Sequence, residues 1–169
     1  MVAATGTRRW AVHAVLAAVL TLTACAQSDR HRMPSGAAAR AWHGRLGLRV
    51  ESSPVQSFTA TLDLSGDAQV GDLVLSSALG TALLALSWRP GHATLQRDGQ
   101  SREYGSVSEL MLDALGADLP MTALFAWLAG HDAVVAGWQA DLSQLSTGRL
   151  SARRSEPAPV VELRLMLEP

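Results

Sequence analysis

The chain has little of the residue types that carry covalent or metal chemistry. Its 169 residues include one cysteine and no lysine, and aromatic residues make up 5%. A single cysteine excludes an internal disulfide, even in an oxidising compartment. The sequence also contains no Gly-x-Ser-x-Gly or Ser-x-x-Lys segment and no glycine-rich phosphate loop. These absences favour a binding protein over an enzyme, and we expect neither a cofactor nor a metal ion.

No long stretch of one charge is present. The 14 basic residues are all arginines, and they are scattered among 15 acidic residues. Proteins that bind nucleic acids need a basic surface to neutralise phosphates. The sequence shows no such stretch, so a nucleic-acid partner is not expected.

The first 24 residues have the features of a secretory signal peptide. Arg8 and Arg9 precede an apolar run over residues 10–24, which is shorter than the ~20 residues needed to span a membrane. The run ends in Leu22-Thr23-Ala24-Cys25, which matches the lipobox of bacterial lipoproteins. We therefore predict cleavage before Cys25 and acylation of its sulfur. The alternative is an ordinary signal peptide with a chance cysteine.

Composition divides the mature chain into two parts. Residues 25–41 are small, polar and contain Pro34 and Gly36, so they are predicted to form a lipidated N-terminus and a flexible tether. Residues 42–169 contain the periodic apolar patterns and are predicted to form one folded domain.

Apolar residues occupy every second position in several short segments, which predicts strands of an antiparallel sheet with one apolar face. The alternating residues are Leu46, Leu48 and Val50; Phe58, Ala60, Leu62 and Leu64; Leu73 and Leu75; Leu84, Leu86 and Trp88; and Val161, Leu163, Leu165 and Leu167. Turns are predicted at residues 65–67 and 89–92 and at Asp98-Gly99, with further strands at residues 134–142 and 149–153.

Two helices are predicted between these strands. Ser106 and Glu109 form a capping box, and the apolar spacing after it continues to Gly116. Pro120 opens a second helix that Gly130 ends. The fold class is therefore mainly β with helices.

One turn contains an unusual apolar residue. Leu79 lies between Ala78 and Gly80 at the apex of a turn, where polar residues are typical. Two interpretations are open from spacing alone. Leu79 either folds back onto the core or contacts an apolar partner.

Several short motifs together resemble the LolB family of outer-membrane lipoprotein receptors, the last component of the bacterial lipoprotein sorting route. They are Trp42-His43-Gly44-Arg45-Leu46, Ala78-Leu79-Gly80, Ser108-Glu109-Leu110-Met111, Gly116-x-x-Leu119-Pro120, Ala126-Trp127-Leu128-Ala129-Gly130, Gly137-Trp138 and the closing alternating strand. Taken together in this order, the motifs extend over residues 42–167.

The resemblance implies an incomplete antiparallel β-barrel with helices covering an apolar cavity. It implies that Leu79, flanked by Ala78 and Gly80, is the loop residue through which cargo reaches the membrane. The acyl-chain cavity would be lined by Leu46, Leu48, Phe58, Leu62, Leu73, Leu75, Leu84, Leu86, Leu110, Met111 and Trp127.

The partners implied are a LolA-like periplasmic carrier, acylated lipoprotein cargo and outer-membrane lipids, with the protein itself a monomer on the periplasmic face of the outer membrane. Two other classes remain open from the residues. One is a structural or assembly lipoprotein that grips a protein partner, and the other is a lipoprotein enzyme with a site assembled from scattered residues.

Overall fold

The alternating segments of the sequence form one continuous antiparallel sheet. The structure is a computed structural model that describes residues 40–169. The strands are β1 (Ala41–Val50), β2 (Gln56–Gly66), β3 (Gly71–Ser76), β4 (Ala82–Arg89), β5 (His92–Arg97), β6 (Gln100–Tyr104), β7 (Trp138–Asp141), β8 (Arg149–Arg154) and β9 (Val161–Leu167). The predicted signal peptide, Cys25 and nearly all of the predicted tether lie outside the described residues.

The order of the strands shows how the sheet is built. It runs β6-β5-β4-β3-β2-β1-β9-β8-β7, so β6 and β7 are its two edges and the sheet does not close on itself. The pairing of β1 with β9 joins two meanders into one sheet, because Val50 lies opposite Val161 and Gly44 opposite Leu167. The predicted fold class, an incomplete antiparallel barrel with helices, is confirmed.

One face of this sheet forms the core. The alternating residues predicted to face inward are buried in β1, β3, β4 and β9, except for Leu167 at the end of β9, which is half-buried. In β2 the inward residues from Ala60 to Leu64 are buried, whereas Phe58 is only half-buried. Phe58 lies near the start of β2, where β3 does not pair with this strand.

Two helices lie between β6 and β7 in the chain. Helix α1 spans Val107–Leu115, with the Ser106 hydroxyl accepting a hydrogen bond from the Glu109 backbone N–H and Gly116 in the left-handed conformation at φ 73°. The Ser106 and Gly116 caps are confirmed, whereas the hydrogen bonds of residues 40–169 do not include the reciprocal one to the Glu109 carboxylate that completes a capping box. Helix α2 spans Met121–Leu128 after Pro120 and is followed by Gly130 at φ 81°.

Two predicted boundaries are wrong. The strand predicted at residues 134–142 begins only at Trp138, because Gly137 takes a left-handed φ of 78° that an extended strand does not use. The turn predicted at residues 65–67 lies at residues 67–70, where the Asp67 carboxylate accepts hydrogen bonds from the backbone N–H groups of Gln69 and Val70.

Candidate functional site

The turn between β3 and β4 is tight and is closed by backbone hydrogen bonds. The Gly80 N–H donates to the Ser77 carbonyl over 2.9 Å, and the Ser77 N–H donates to the Thr81 carbonyl over 2.8 Å. Gly80 has a φ of 81°, so its left-handed conformation completes a three-residue hairpin loop. A β-bulge follows, because Leu75 pairs with Leu84 while Ser76 pairs with Ala82. The turn therefore holds its apex residues in a fixed place.

Leu79 projects from this apex into solvent. Its side chain is 94% exposed, whereas Leu75 at the end of β3 is 0% exposed. The interpretation of Leu79 as a core residue is wrong, because the backbone hydrogen bonds of the turn direct it away from the sheet. Ala78 and Gly80 on either side are also exposed. The structure thus gives Leu79 the protruding position that the resemblance implies.

A second apolar tip lies on the same end of the sheet. Trp138, the first residue of β7, pairs with Arg154, and Arg154 pairs with Val161. Because Val161 pairs with Val50 at the end of β1, the segment 129–137 reaches the same end as the Leu79 turn. We call this end, with the connections 51–55, 77–81, 98–99, 129–137 and 155–160, the Leu79 rim. Val134 on the Leu79 rim is 97% exposed.

The sequence pattern does not mark Val134 as an exposed residue. It lies at the start of the strand predicted at residues 134–142, and β-branched residues such as Val134 and Val135 favour strands. The signal that marks it is Gly137, whose left-handed backbone ends the extended conformation and leaves residues 129–136 as a loop.

The residues predicted to line an acyl-chain cavity come together on one face. Phe58 is half-buried, and the remaining ten are at most 4% exposed. The ten are Leu46, Leu48, Leu62, Leu73, Leu75, Leu84, Leu86, Leu110, Met111 and Trp127. They belong to one packed hydrophobic cluster.

The opening expected between the sheet and the helices is closed at its centre in this conformation of residues 40–169. A space of about 310 Å³ remains at one side, where Leu48 and Phe58 of the sheet face Leu115 at the end of α1. The space left in the centre measures about 10 Å³, close to the ~10–15 Å³ that a single water molecule needs, so it is far too small for an acyl chain. It is lined only by apolar side chains, and these are Leu46, Leu62, Leu64, Leu73, Met111, Leu119, Met121, Leu124, Leu163 and Leu165. We call this narrow space the seam. Side chains of α1, α2 and their connection fill what would otherwise be a cavity.

Helix α2 is fixed against the sheet mainly by aromatic contacts. The centroid of the Phe125 ring lies 5.5 Å from that of the Trp42 ring and 6.2 Å from that of the Trp88 ring. The Trp127 ring lies 6.2 Å from Trp138, and its indole N–H donates to the Ala133 carbonyl over 3.0 Å. These contacts connect α2 to β1, β4 and β7, across the width of the sheet.

Helix α1 is fixed by polar contacts at its C-terminal end. The Arg97 Nη2 on β5 donates to the Ala114 carbonyl over 2.6 Å, which satisfies one of the last carbonyls of the helix. The Tyr104 hydroxyl on β6 donates to the Asp113 carboxylate over 2.6 Å, and this hydrogen bond raises the pKa of Tyr104 above its usual value. Arg102 adds an ion pair with Asp113 at 3.8 Å.

Within residues 40–169, no three histidine, cysteine or acidic side chains are grouped so as to hold a metal ion. None of the helices described there is long and apolar enough to cross a membrane.

Comparison with known proteins gives one consistent family. Residues 39–158 match the family model described as "Outer membrane lipoprotein LolB". The chain is 29% identical to the outer-membrane lipoprotein LolB of Bordetella petrii, over 92% of each chain. It is 32% identical to the protein of the same name from Halorhodospira halophila, over 75% of this chain and 68% of the relative. A further relative of that name, from Shewanella woodyi, is 32% identical over 56% of this chain. The matched part covers only 44% of that relative's length.

Proposed function

Because the chain belongs to the LolB family of outer-membrane lipoproteins, we propose that it accepts acylated lipoproteins from a LolA-like periplasmic carrier and inserts them into the inner leaflet of the outer membrane. Members of this family are lipoproteins rather than enzymes, and no step of the proposed function forms or breaks a covalent bond. The protein acts as a monomer, since one copy of the domain supplies both the apolar interior and the exposed leucine.

Acylation at Cys25 attaches the protein to the membrane. The lipobox in the sequence supports this step, and residues 26–40 then form the connection to β1. Two or more acyl chains anchor a protein stably, whereas a single chain binds a membrane only marginally.

The exposed Leu79 is the observation that carries the proposal. A leucine that is 94% exposed on a hydrogen-bonded turn buries almost no apolar surface when the protein folds. It gains about 1.5–3 kcal/mol if its side chain moves from water into an apolar layer. The side chain is therefore suited to enter the bilayer while the rest of the domain remains outside. Val134, also on the Leu79 rim, is a second exposed apolar side chain at this end of the sheet.

Cargo requires a conformation in which the seam is open. The acyl chains of a lipoprotein carry on the order of forty methylenes, each worth about 0.8 kcal/mol on leaving water. The seam, at about 10 Å³, does not hold them, so α1 and α2 must move away from the sheet when cargo enters. Met111 and Met121 line the helix side of the seam, and methionine side chains repack readily because they are unbranched and flexible.

The closed interior also favours release. In the empty protein the apolar side chains of the seam contact one another, so opening the domain for cargo costs packing energy. This cost lowers the affinity for cargo below that of the bilayer, whose interior needs no such opening. Transfer from carrier to receptor to membrane then runs downhill without a nucleotide.

The test is a transfer assay with three components. A purified carrier loaded with a labelled lipoprotein is mixed with this protein in liposomes, and the label is followed in each fraction. We expect the label to move first to this protein and then to the lipid. Liposomes without the protein give the background rate.

Two results contradict the proposal. If the label stays on the carrier, the protein is not a receptor, and a structural lipoprotein that grips a protein partner becomes the better description. If the label reaches this protein but never the lipid, then it stores cargo and Leu79 has no role in delivery.

A further inference from the structure

Five arginines form a regular group on the outer face of the sheet. Strand pairing places them in three rows that cross β1, β9 and β8. The residues of each row are given below in that order of strands. The rows are Arg45, Met166 and Arg149; Gly47, Arg164 and Ser151; and Arg49, Glu162 and Arg153. Neighbouring strands are about 4.8 Å apart and alternate residues about 6.7 Å apart, so the group measures roughly 10 by 13 Å. We call this surface the arginine face.

The arginines differ in how they are neutralised. Glu162 forms ion pairs with Arg153 at 3.0 Å and with Arg164 at 3.5 Å. Arg49 forms an ion pair with Glu51 at 2.7 Å. Within residues 40–169, Arg45 and Arg149 have no carboxylate within 4.0 Å; Arg149 contacts only the Gln144 amide oxygen, at 3.5 Å. Both flank Met166, whose side chain is 54% exposed.

The rest of the domain has the opposite charge. Residues 40–169 contain ten arginines and 14 acidic residues, and the arginine face has five of these arginines with only Glu162 inside it. The remaining surface therefore has five arginines against 13 acidic residues. Such a separation of charge is not needed for folding, because exposed charges contribute little to stability. It creates a local positive field on an otherwise acidic protein.

We propose that the arginine face binds the anionic phospholipid headgroups of the membrane to which the protein is anchored. Guanidinium groups pair with phosphates through two parallel hydrogen bonds, and they suit interfaces because they are weakly hydrated. An apolar side chain between unpaired cations, as Met166 is between Arg45 and Arg149, is typical of surfaces that lie at the headgroup level.

The position of the tether favours the membrane over a soluble partner. The arginine face begins at Arg45, four residues after Ala41, where the chain arrives from the predicted lipid anchor. A short connection keeps the arginine face near the bilayer at high effective concentration. The arginine face lies on the outer side of the sheet, whereas the seam and Leu79 do not, so its contact with lipid holds the domain at the surface without using the parts that handle cargo.

The inference rests on the proposed function only in taking the protein to be anchored in a membrane. The processed, full-length lipoprotein is reconstituted into vesicles, and an environment-sensitive fluorophore is attached at Met166→Cys. The thiol of Cys25 is acylated and does not react. Leu112→Cys on α1, which is 51% exposed in the native chain, is the matched control label. Ser151→Cys on the arginine face replaces Met166→Cys if that variant does not fold.

We expect the Met166→Cys label to report an apolar environment in vesicles that contain phosphatidylglycerol and not in vesicles of phosphatidylcholine alone. Raising the salt from about 0.05 M to about 0.5 M reverses the change, since it shortens the range of electrostatic attraction. The Leu112→Cys label changes in neither case.

Charge variants test the mechanism directly. The double variant Arg45→Gln, Arg149→Gln removes two charges without breaking an ion pair. Because each arginine near an anionic surface contributes about a fivefold effect, we expect the ratio of docked to undocked domain to fall about 30-fold. Arg89→Gln with Arg102→Gln removes the same charge elsewhere. Arg102 then loses its ion pair with Asp113, but an exposed pair contributes little to stability, so we expect this ratio to stay nearly unchanged. An equal label response in both vesicle types overturns the proposal. A response that appears only when the carrier is added also overturns it and assigns the arginine face to that protein. The docking experiment contains no cargo. Its failure would therefore not contradict the proposed transfer of lipoproteins, and a failed transfer assay would not contradict the docking of the arginine face.

Discussion

Leu75 and Leu79 are four residues apart and have opposite environments. Leu75 is 0% exposed at the end of β3, whereas Leu79 is 94% exposed on the turn that follows. The hydrogen bonds between Ser77, Gly80 and Thr81 separate the two, because they close the turn before the alternation of β3 can continue. One leucine therefore belongs to the apolar interior and the other is available to the membrane.

This difference predicts separate effects of the same substitution. Leu79→Glu should change the free energy of unfolding by no more than about 0.5 kcal/mol, as expected for a surface position. Uptake of cargo from the carrier should persist, and insertion into liposomes should fall, because a carboxylate opposes entry into the apolar layer. Thermal unfolding and the three-component transfer assay measure the two effects.

Leu75→Glu provides the control for Leu79→Glu. Burying a carboxylate at this position should prevent stable folding and abolish uptake as well as insertion. If Leu79→Glu folds, accepts cargo and inserts it at the normal rate, Leu79 has no part in delivery.

Anchoring gives an independent prediction. Cys25→Ser should leave an unprocessed precursor, because the lipobox cysteine is the acceptor of the lipid. Mass spectrometry of the membrane fraction distinguishes precursor from acylated product. Normal cleavage and acylation of the variant would show that the signal segment is of the ordinary secretory type.

Alternation in the sequence predicted the fold well because each strand has one buried face. Leu46, Leu62 and Leu163 follow this rule, and burial agrees at all three. The filled interior was not predictable in this way, since periodicity identifies the apolar face of a strand and not the distance between that face and the helices. The arginine face was missed for a related reason. Its residues come from positions 45–49, 149–153 and 162–166, and only strand pairing brings these separate segments together.

Arg97, which is partly buried, makes one of the polar contacts that attach α1 to the sheet. Arg97→Met keeps most of the apolar stem but leaves the Ala114 carbonyl without its donor. We expect a loss of about 1.5–3 kcal/mol in the free energy of unfolding, the usual range for a hydrogen bond to a charged group. Urea unfolding measures the loss. Arg89→Met, at an exposed position, should be nearly neutral, and equal effects of the two changes would contradict a specific role for Arg97.

Acid should weaken the turn between β2 and β3. The backbone N–H groups of Val70 and Gln69 lower the pKa of Asp67 below its ordinary 3.8. Because the folded pKa is the lower one, the stabilisation is present above about pH 4 and is lost as the pH falls through the folded value. Asp67→Asn keeps an oxygen acceptor and removes this titration. The melting temperature of the variant should therefore fall less steeply below pH 4 than that of the native chain. Parallel curves would show that Asp67 is not responsible.

The closed seam makes a prediction that a preformed cavity does not. Leu124 lies on the helix side of the seam and is 7% exposed, and Leu124→Ala should cost about 2–5 kcal/mol of stability in the empty protein. In the loaded protein an acyl chain occupies the space that the leucine leaves, so the substitution costs the loaded form less stability than the empty form.

This difference in stability appears as a change in affinity. If the two costs differ by 1.4 kcal/mol, the affinity for the acyl chain rises about tenfold. A fluorescent fatty-acid analogue should therefore bind the Leu124→Ala variant of residues 37–169, which form a compact unit, more tightly than it binds the native unit. Leu150→Ala on β8 removes a buried leucine that does not line the seam, and it should lower stability without changing the affinity. If Leu124→Ala instead weakens binding, the acyl chain contacts Leu124 in a cavity that is already open, and the helices need not move for cargo to enter.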